Sequence, residues 1–249
     1  MADLLVDFGN SRLKWAQSAP NWWTHSATIH RGRDMGEVLN EAWSDLEPPA
    51  RVFMASVTTP ERTAAIASWV KRRWSVELRR VLSQREQLGV VNTYRDPSAL
   101  GADRWAALLA ARQHTQHDCA IVNCGTAVTI DVLTGEGVFA GGVIFPGLYL
   151  LRHSLDVGTA GVGSANGDDA SCLAHSTADG VAAGTLFGLA GAIERMLLEY
   201  EYALSEPLEI LLTGGDAPLL MSRLARPAVY VPDLVLKGVA RAAQDAPTV

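Results

Sequence analysis

Cysteine is scarce in this 249-residue chain. Cys119, Cys124 and Cys172 form an odd set without Cys-x-x-Cys spacing. That argues against a disulfide framework or a cysteine-based zinc site and favours a reducing cytoplasm. Lysine is equally rare, at Lys14, Lys71 and Lys237, and the net charge is −6. With no basic cluster interleaved with aromatics, a nucleic-acid partner is not expected. Lys71-Arg72-Arg73 and Arg79-Arg80 read as a solvated helix and strand edge. The six histidines lack metal-ligand spacing. Asp3 and Asp7 interrupt the apolar N-terminus, so a signal peptide is not expected. The apolar stretch from Val138 to Leu151 is too short to span a bilayer and is broken by Gly141, Gly142, Pro146 and Gly147. The expectation is a soluble, cytoplasmic protein with neither a nucleic-acid nor a membrane partner.

Tryptophan is missing from the second half. All seven lie between Trp15 and Trp105, and the rest of the chain is rich in Gly, Ala and Leu. This shift predicts two lobes, residues 1–115 and 116–249. A hydrophobic content of 48% supplies core for both.

Two short glycine turns lie about half the chain apart. The first is Asp7-Phe8-Gly9-Asn10-Ser11, with Lys14 beyond; the second is Asn123-Cys124-Gly125-Thr126-Ala127, followed by Thr129 and Asp131. Each follows an apolar run and precedes residues suited to a returning strand. A strand, a tight turn and a return strand set backbone N–H groups and hydroxyls around an anion, as a phosphate chain requires. Asp7, at a strand's carboxyl end, is suited to a hydrated Mg²⁺ beside phosphate oxygens. Taken singly, each turn also reads as an ordinary hairpin. Cys124 has no base marked near it and reads as a small buried residue.

Around these turns the pattern predicts strands at 4–7, 13–17, 24–29, 51–56 and 77–82, with helices at 34–43 and 60–73. Asp96-Pro97 reads as a helix start, and a helix runs on from Asp103. The second half predicts a strand meander over 120–123, 126–133 and 137–144, broken by Gly141-Gly142 and Pro146-Gly147. Thr177 is expected to cap a long helix to about residue 203. A strand at 209–213 ends in Gly214-Gly215, where a flat ring could lie against backbone. A last helix covers about 234–244. Gly180, Gly184 and Gly188 fall on one helix face, as for close approach of another helix or a second subunit.

Gly101-Ala102-Asp103-Arg104 is the candidate reacting centre. Asp103 supplies a carboxylate and Arg104 a fixed cation suited to an acid group. A carboxylate of pKa about 3.9 cannot strip an alcohol in advance. It can orient the hydroxyl and take its proton during phosphoryl transfer. Asp at a helix start is also an ordinary dipole-stabilising feature.

In this order, the segments resemble the type III pantothenate kinases of the acetate and sugar kinase, Hsp70 and actin superfamily. The turns indicate the superfamily. Gly101-Ala102-Asp103-Arg104 and Gly141-Gly142-Val143-Ile144-Phe145-Pro146-Gly147 make the resemblance specific. It implies an α/β fold of two ribonuclease H-like lobes of the actin-like ATPase type, with the ligand cleft between them. It also implies ATP-dependent phosphorylation of pantothenate, with Asp103 as proton acceptor. Asp7, Phe8, Gly9, Asn10, Ser11, Arg12, Leu13, Lys14, Gly125 and Thr126 match ATP-binding positions. Tyr94, Gly101, Ala102, Asp103, Arg104 and Thr177 match pantothenate-binding positions. Mg²⁺ at Asp7 and a homodimer are further implications. The family usually carries Asp where this chain has Asn123, at a site for K⁺ or NH₄⁺. The neutral amide weakens that attraction, so cation dependence is expected to be reduced or absent. A sugar or small-acid kinase and a non-catalytic regulatory protein are the alternative readings.

Overall fold

β1 (Asp3–Phe8) turns through residues 9–11 into β2 (Arg12–Ala19), and β2 returns as β3 (Trp22–Ile29). The computed structural model describes residues 2–20, 22–162 and 171–245. α1 (Met35–Trp43) starts at Asp34, whose carboxylate accepts the Glu37 N–H. β4 (Val52–Ser56) runs parallel to β1 and leads to α2 (Pro60–Trp74), with Thr59 as cap and Pro60 in the first turn. β5 (Leu78–Arg80) completes a sheet ordered β3-β2-β1-β4-β5. Trp15, Trp43, Trp69 and Trp74 pack together with ring centroids 5.0–6.1 Å apart. That cluster accounts for four of the tryptophans crowded into this part of the sequence, and such pairs add about 0.5–1.5 kcal/mol each beyond area burial.

β6 (Glu86–Gln87) and β7 (Val90–Asn92) form a hairpin that the sequence reading did not anticipate. Its loop residues, Leu88 and Gly89, both have positive φ. Asp96-Pro97 starts only a single 3-10 turn, Pro97–Ala99. The helix proper, α3 (Ala102–His114), follows Gly101.

The second unit opens with the expected meander, β8 (Cys119–Cys124), β9 (Ala127–Leu133) and β10 (Val138–Pro146). Gly141-Gly142 does not break it. The register shifts between Phe139 and Gly141, and Gly141 absorbs the irregularity at φ 134°. Pro146-Gly147 does end the meander, since β10 stops at Pro146, and Gly147 is also the N-cap of α4 (Leu148–Gly158), a helix the sequence did not announce. α5 (Thr177–Leu204) is capped by Ser176, which accepts the Asp179 N–H, so Thr177 is the first helical residue and not the cap. β11 (Glu209–Thr213) lies parallel to β8, and α6 (Ala217–Met221) leads to β12 (Val229–Tyr230), parallel to β11. Within this unit the strands run β12-β11-β8-β9-β10.

Val122, Cys124, Val128 and Ile130 meet Leu186, Leu189 and Ile193 of α5 in one core. By length and a mean hydropathy of 1.4, α5 has the composition of a membrane span. Half of that apolar stretch is nevertheless buried, with Leu186, Leu189 and Ile193 in this core. α7 (Leu234–Asp245) returns to the first unit and packs on α3, where a side chain at Gly238 would strike the Ala106 backbone. The two compact units are Met1–His114 with Asp233–Val249, and Thr115–Pro232. A division at residue 115 therefore leaves α7 on the wrong side of the line.

Candidate active site

Antiparallel register sets Asp7 opposite Lys14, and the Lys14 ammonium donates to Asp7 Oδ2 at 3.2 Å. Asp7 is 6% exposed, and Lys14 is only partly buried. The pair gives a carboxylate near the protein interior an ammonium partner and leaves the lysine head able to turn to an anion. Phe8 and Leu13, also opposite each other, point into the core. Of the expected ATP contacts, these two have only backbone to offer. Asn10 and Arg12 are exposed, and Ser11 Oγ accepts from Arg31.

Gly9 has neither a positive φ nor a crowded α-carbon. A Cβ there would meet nothing nearer than Arg12 O at 3.5 Å. Gly125 has the same property, its nearest neighbour being Ala127 O at 3.5 Å. The fold has room for alanine at both turns. A bare backbone that the fold itself does not require suits close approach by a ligand. Gly147 and Gly214 are the reverse case: a Cβ on Gly147 would strike Gly125 O, and one on Gly214 would strike Cys124 O. Gly214 thus serves chain packing.

On β8 and β9, Asn123 lies opposite Thr129, and Ile121 opposite Asp131. Alternation puts Asn123, Thr129 and Asp131 on the sheet face away from the α5 core. Thr129 Oγ1 is buried without a hydrogen-bond partner among the described residues, next to the Asn123 amide across the strand pair. Burial, aided by the Asp216 carboxylate, pushes the Cys124 thiol up to about 12, which agrees with an inert core residue.

The start of α3 gathers the expected acceptor-binding residues of the first unit. Asp103 Oδ1 accepts the Arg104 N–H at 2.8 Å and lies over Gly101, where a Cβ would come within 2.7 Å of it. Arg104 is 5% exposed; its Nη1 donates to the Tyr94 hydroxyl at 2.8 Å and its guanidinium carbon sits 5.7 Å from the ring centroid. Buried Asn92 accepts the Tyr94 N–H at 3.0 Å and donates to Pro97 O at 3.2 Å. A carboxylate, a guanidinium and a phenol thus share one small region. Thr177 belongs to the other unit, at the first turn of α5.

Sequence reasoning missed Asn92, which holds Tyr94, and His30. The His30 ring is buried, with Nε2 2.8 Å from Gly9 O and Nδ1 2.7 Å from Arg62 Nη2. Burial lowers its pKa below the ordinary histidine value, against the raising effect of the Gly9 bond. The available signal was register: Ile29 pairs with Arg12, which carries the next residue back to the first turn.

A sequence model of the type III pantothenate kinase family matches residues 3–199. The chain is 42% identical over 243 residues to the type III pantothenate kinase of Laribacter hongkongensis, covering 97% of this chain and 98% of the relative. It is 34% identical to that of Nitrosococcus oceani, covering 97% and 94%. Among solved structures it resembles a Campylobacter jejuni protein assigned to the Baf family of transcriptional activators (TM-score 0.60, 18% identity, 97% and 98% covered). It also resembles a 2-dehydro-3-deoxygalactonokinase candidate from Sinorhizobium meliloti (TM-score 0.60, 14% identity, 98% of each chain). At these identities the likeness establishes the fold alone, that of the actin-like ATPases and sugar kinases.

Proposed function

The chain belongs to the type III pantothenate kinase family, and from that premise we propose how its residues divide the work. The enzyme phosphorylates pantothenate with ATP to 4'-phosphopantothenate, the first step of coenzyme A biosynthesis. Asp103 accepts the proton of the primary hydroxyl as the oxygen–phosphorus bond forms and ADP departs. Proton transfer accompanies that step, because a carboxylate is too weak a base to ionise an alcohol first. Arg104 and Tyr94 hold the acidic acceptor, together with Gly101, Ala102 and Thr177. Asp7, Gly9, Asn10, Ser11 and Lys14 bind ATP, as do Gly125 and Thr126 and the backbone of Phe8, Arg12 and Leu13.

The observation that carries this reading is the buried Arg104 guanidinium, joined to the Tyr94 hydroxyl, at the head of α3, where the backbone N–H of the same residue donates to the Asp103 carboxylate. It provides a fixed cation for an acidic acceptor beside a proton-accepting group.

The Asp7 carboxylate fits Mg²⁺, which takes hard oxygen ligands and needs only one or two carboxylates beside phosphate. When bound, the metal would neutralise charge on the phosphates. Neutral oxygens at Asn123 and Thr129 fit a monovalent cation, with weaker attraction than a carboxylate would provide, so dependence on K⁺ or NH₄⁺ is reduced. Homodimerisation is supported by Gly180, Gly184, Gly188 and Gly191 on α5, beside which a Cβ would meet nothing within 4 Å. Exposed Phe187, Leu198 and Tyr202 on the same helix add to that support. The protein is assigned to the cytoplasm.

The test is ADP formation against a panel of acceptors. Pantothenate alone should support turnover. Turnover with a sugar or another hydroxy acid in its place would reassign the substrate, and ATP binding without turnover would favour a regulatory protein.

A further inference from the structure

His30 touches both residues flanking Asn10 in the first glycine turn. Its side-chain Nε2 is 2.8 Å from Gly9 O, and its backbone N–H donates to Ser11 O at 3.1 Å. The chemistry of the neighbours settles the ring's tautomer. Gly9 O can only accept, so Nε2 carries the hydrogen. Arg62 can only donate, so Nδ1 must present its lone pair. A second proton on Nδ1 would face the Arg62 N–H groups, so the ring is neutral. Arg62 also donates to His30 O at 3.1 Å, and the ring packs on Phe8 with centroids 4.8 Å apart. The imidazole is therefore held on both edges and one face.

This has a consequence at the turn. The Gly9 N–H is occupied by Arg12 O at 3.2 Å, so the hairpin cannot use it for a ligand. The Gly9 carbonyl is turned to His30. In a trans peptide the next N–H points opposite to that carbonyl. Holding Gly9 O on the buried ring therefore turns the Asn10 N–H away from it, and Asn10 is exposed. A preset backbone donor suits a phosphate oxygen, because its orientation need not be fixed again on binding.

We propose that His30 is a positioning residue for the phosphoryl donor: it fixes the Gly9–Asn10 peptide so that the Asn10 amide is presented to the triphosphate, with Arg62 fixing its tautomer. This rests on the reading that the Gly9 turn binds ATP.

The experiment measures KM for ATP and for pantothenate in the wild type, His30→Phe, His30→Gln and Lys14→Ala. Phenylalanine keeps a ring against Phe8 but cannot donate. Glutamine restores an N–H at similar reach. His30→Phe should raise KM for ATP about five- to tenfold, with KM for pantothenate within about twofold. His30→Gln should recover most of the loss. An unchanged KM for ATP in His30→Phe, an equal rise in both KM values, or a glutamine variant no better than phenylalanine would overturn the proposal. Lys14→Ala separates the two levels. If it leaves KM for ATP unchanged, the turn does not bind ATP and the proposal falls with that reading. If it raises KM for ATP while His30→Phe does not, only the role of His30 is lost.

Should His30→Phe fail to fold, ¹⁵N NMR of the wild-type imidazole decides. An Nε2–H tautomer whose signal moves together with the Asn10 amide on adding a non-hydrolysable ATP analogue supports the proposal. An Nδ1–H tautomer, or signals indifferent to nucleotide, overturns it.

Discussion

In the first unit, the position two residues before the turn glycine is a carboxylate, Asp7, facing the Lys14 ammonium at 3.2 Å. In the second, the corresponding position is the neutral Asn123, facing Thr129. The supports differ as well. Side chains add to the backbone bonds of the first turn, namely His30 on Gly9 O and Arg31 on Ser11 Oγ. Backbone braces the second: Gly147 donates its N–H to Thr126 O at 3.0 Å, and Asp216 donates its N–H to Cys124 O at 3.1 Å. One strand–glycine–strand device is thus built twice, once with charge and side-chain hydrogen bonds and once with close-packed main chain. The charged turn should be the more sensitive in nucleotide binding, and the packed turn the more sensitive in folding.

Between the two turns, the largest effect should come from Lys14→Ala, which removes the cation of the charged turn. We expect kcat/KM for ATP to fall about 10²–10³-fold, against about tenfold or less for Thr126→Val in the neutral turn. Equal losses would break the comparison. Next come the glycines. Gly147→Ala drives a Cβ into the Gly125 backbone and should destabilise the protein by about 3 kcal/mol, read by denaturant unfolding. Gly9→Ala meets only an ordinary contact, so it should fold like the wild type while KM for ATP rises. If Gly9→Ala unfolds the protein, its bareness serves the fold after all. The smallest effect concerns the neutral position. Asn123→Asp restores a unit charge and should increase activation by K⁺ a few-fold in a salt titration. Strong K⁺ activation already present in the wild type would contradict the reduced dependence assigned to Asn123.

Legibility in the sequence follows the same divide. β1 and β2 stood out because the apolar run Leu4-Leu5-Val6 leads into a glycine turn with a returning strand beyond it, and the helix expected at 60–73 forms as α2 because its Thr59 cap and Pro60 are local features that nothing overrides. The reading failed where meaning depends on contacts distant in sequence. Pro146-Gly147 was legible as the end of β10 but not as the entry to α4, where Gly147 is pressed against the second turn. Gly141-Gly142 looks like a break, yet antiparallel pairing with β9 carries the strand through it. At the site, Asp7, Lys14, Asp103 and Arg104 stood out by residue type and by resemblance. Tyr94 stood out by resemblance alone, its contact with Arg104 did not, and His30 did not stand out at all. Tyr94 meets Arg104 across ten residues, and His30 meets Gly9 across 21. Only strand register, a property of the folded sheet, brings the latter pair together.

The central claim is that this chain phosphorylates pantothenate with Asp103 as proton acceptor. Its most direct test is the rate of pantothenate-dependent ADP formation in the wild type and in Asp103→Asn, at matched circular dichroism and thermal midpoint. The account predicts turnover in the wild type and a loss of about 10²–10⁴-fold in the variant. Turnover that survives the substitution would contradict it.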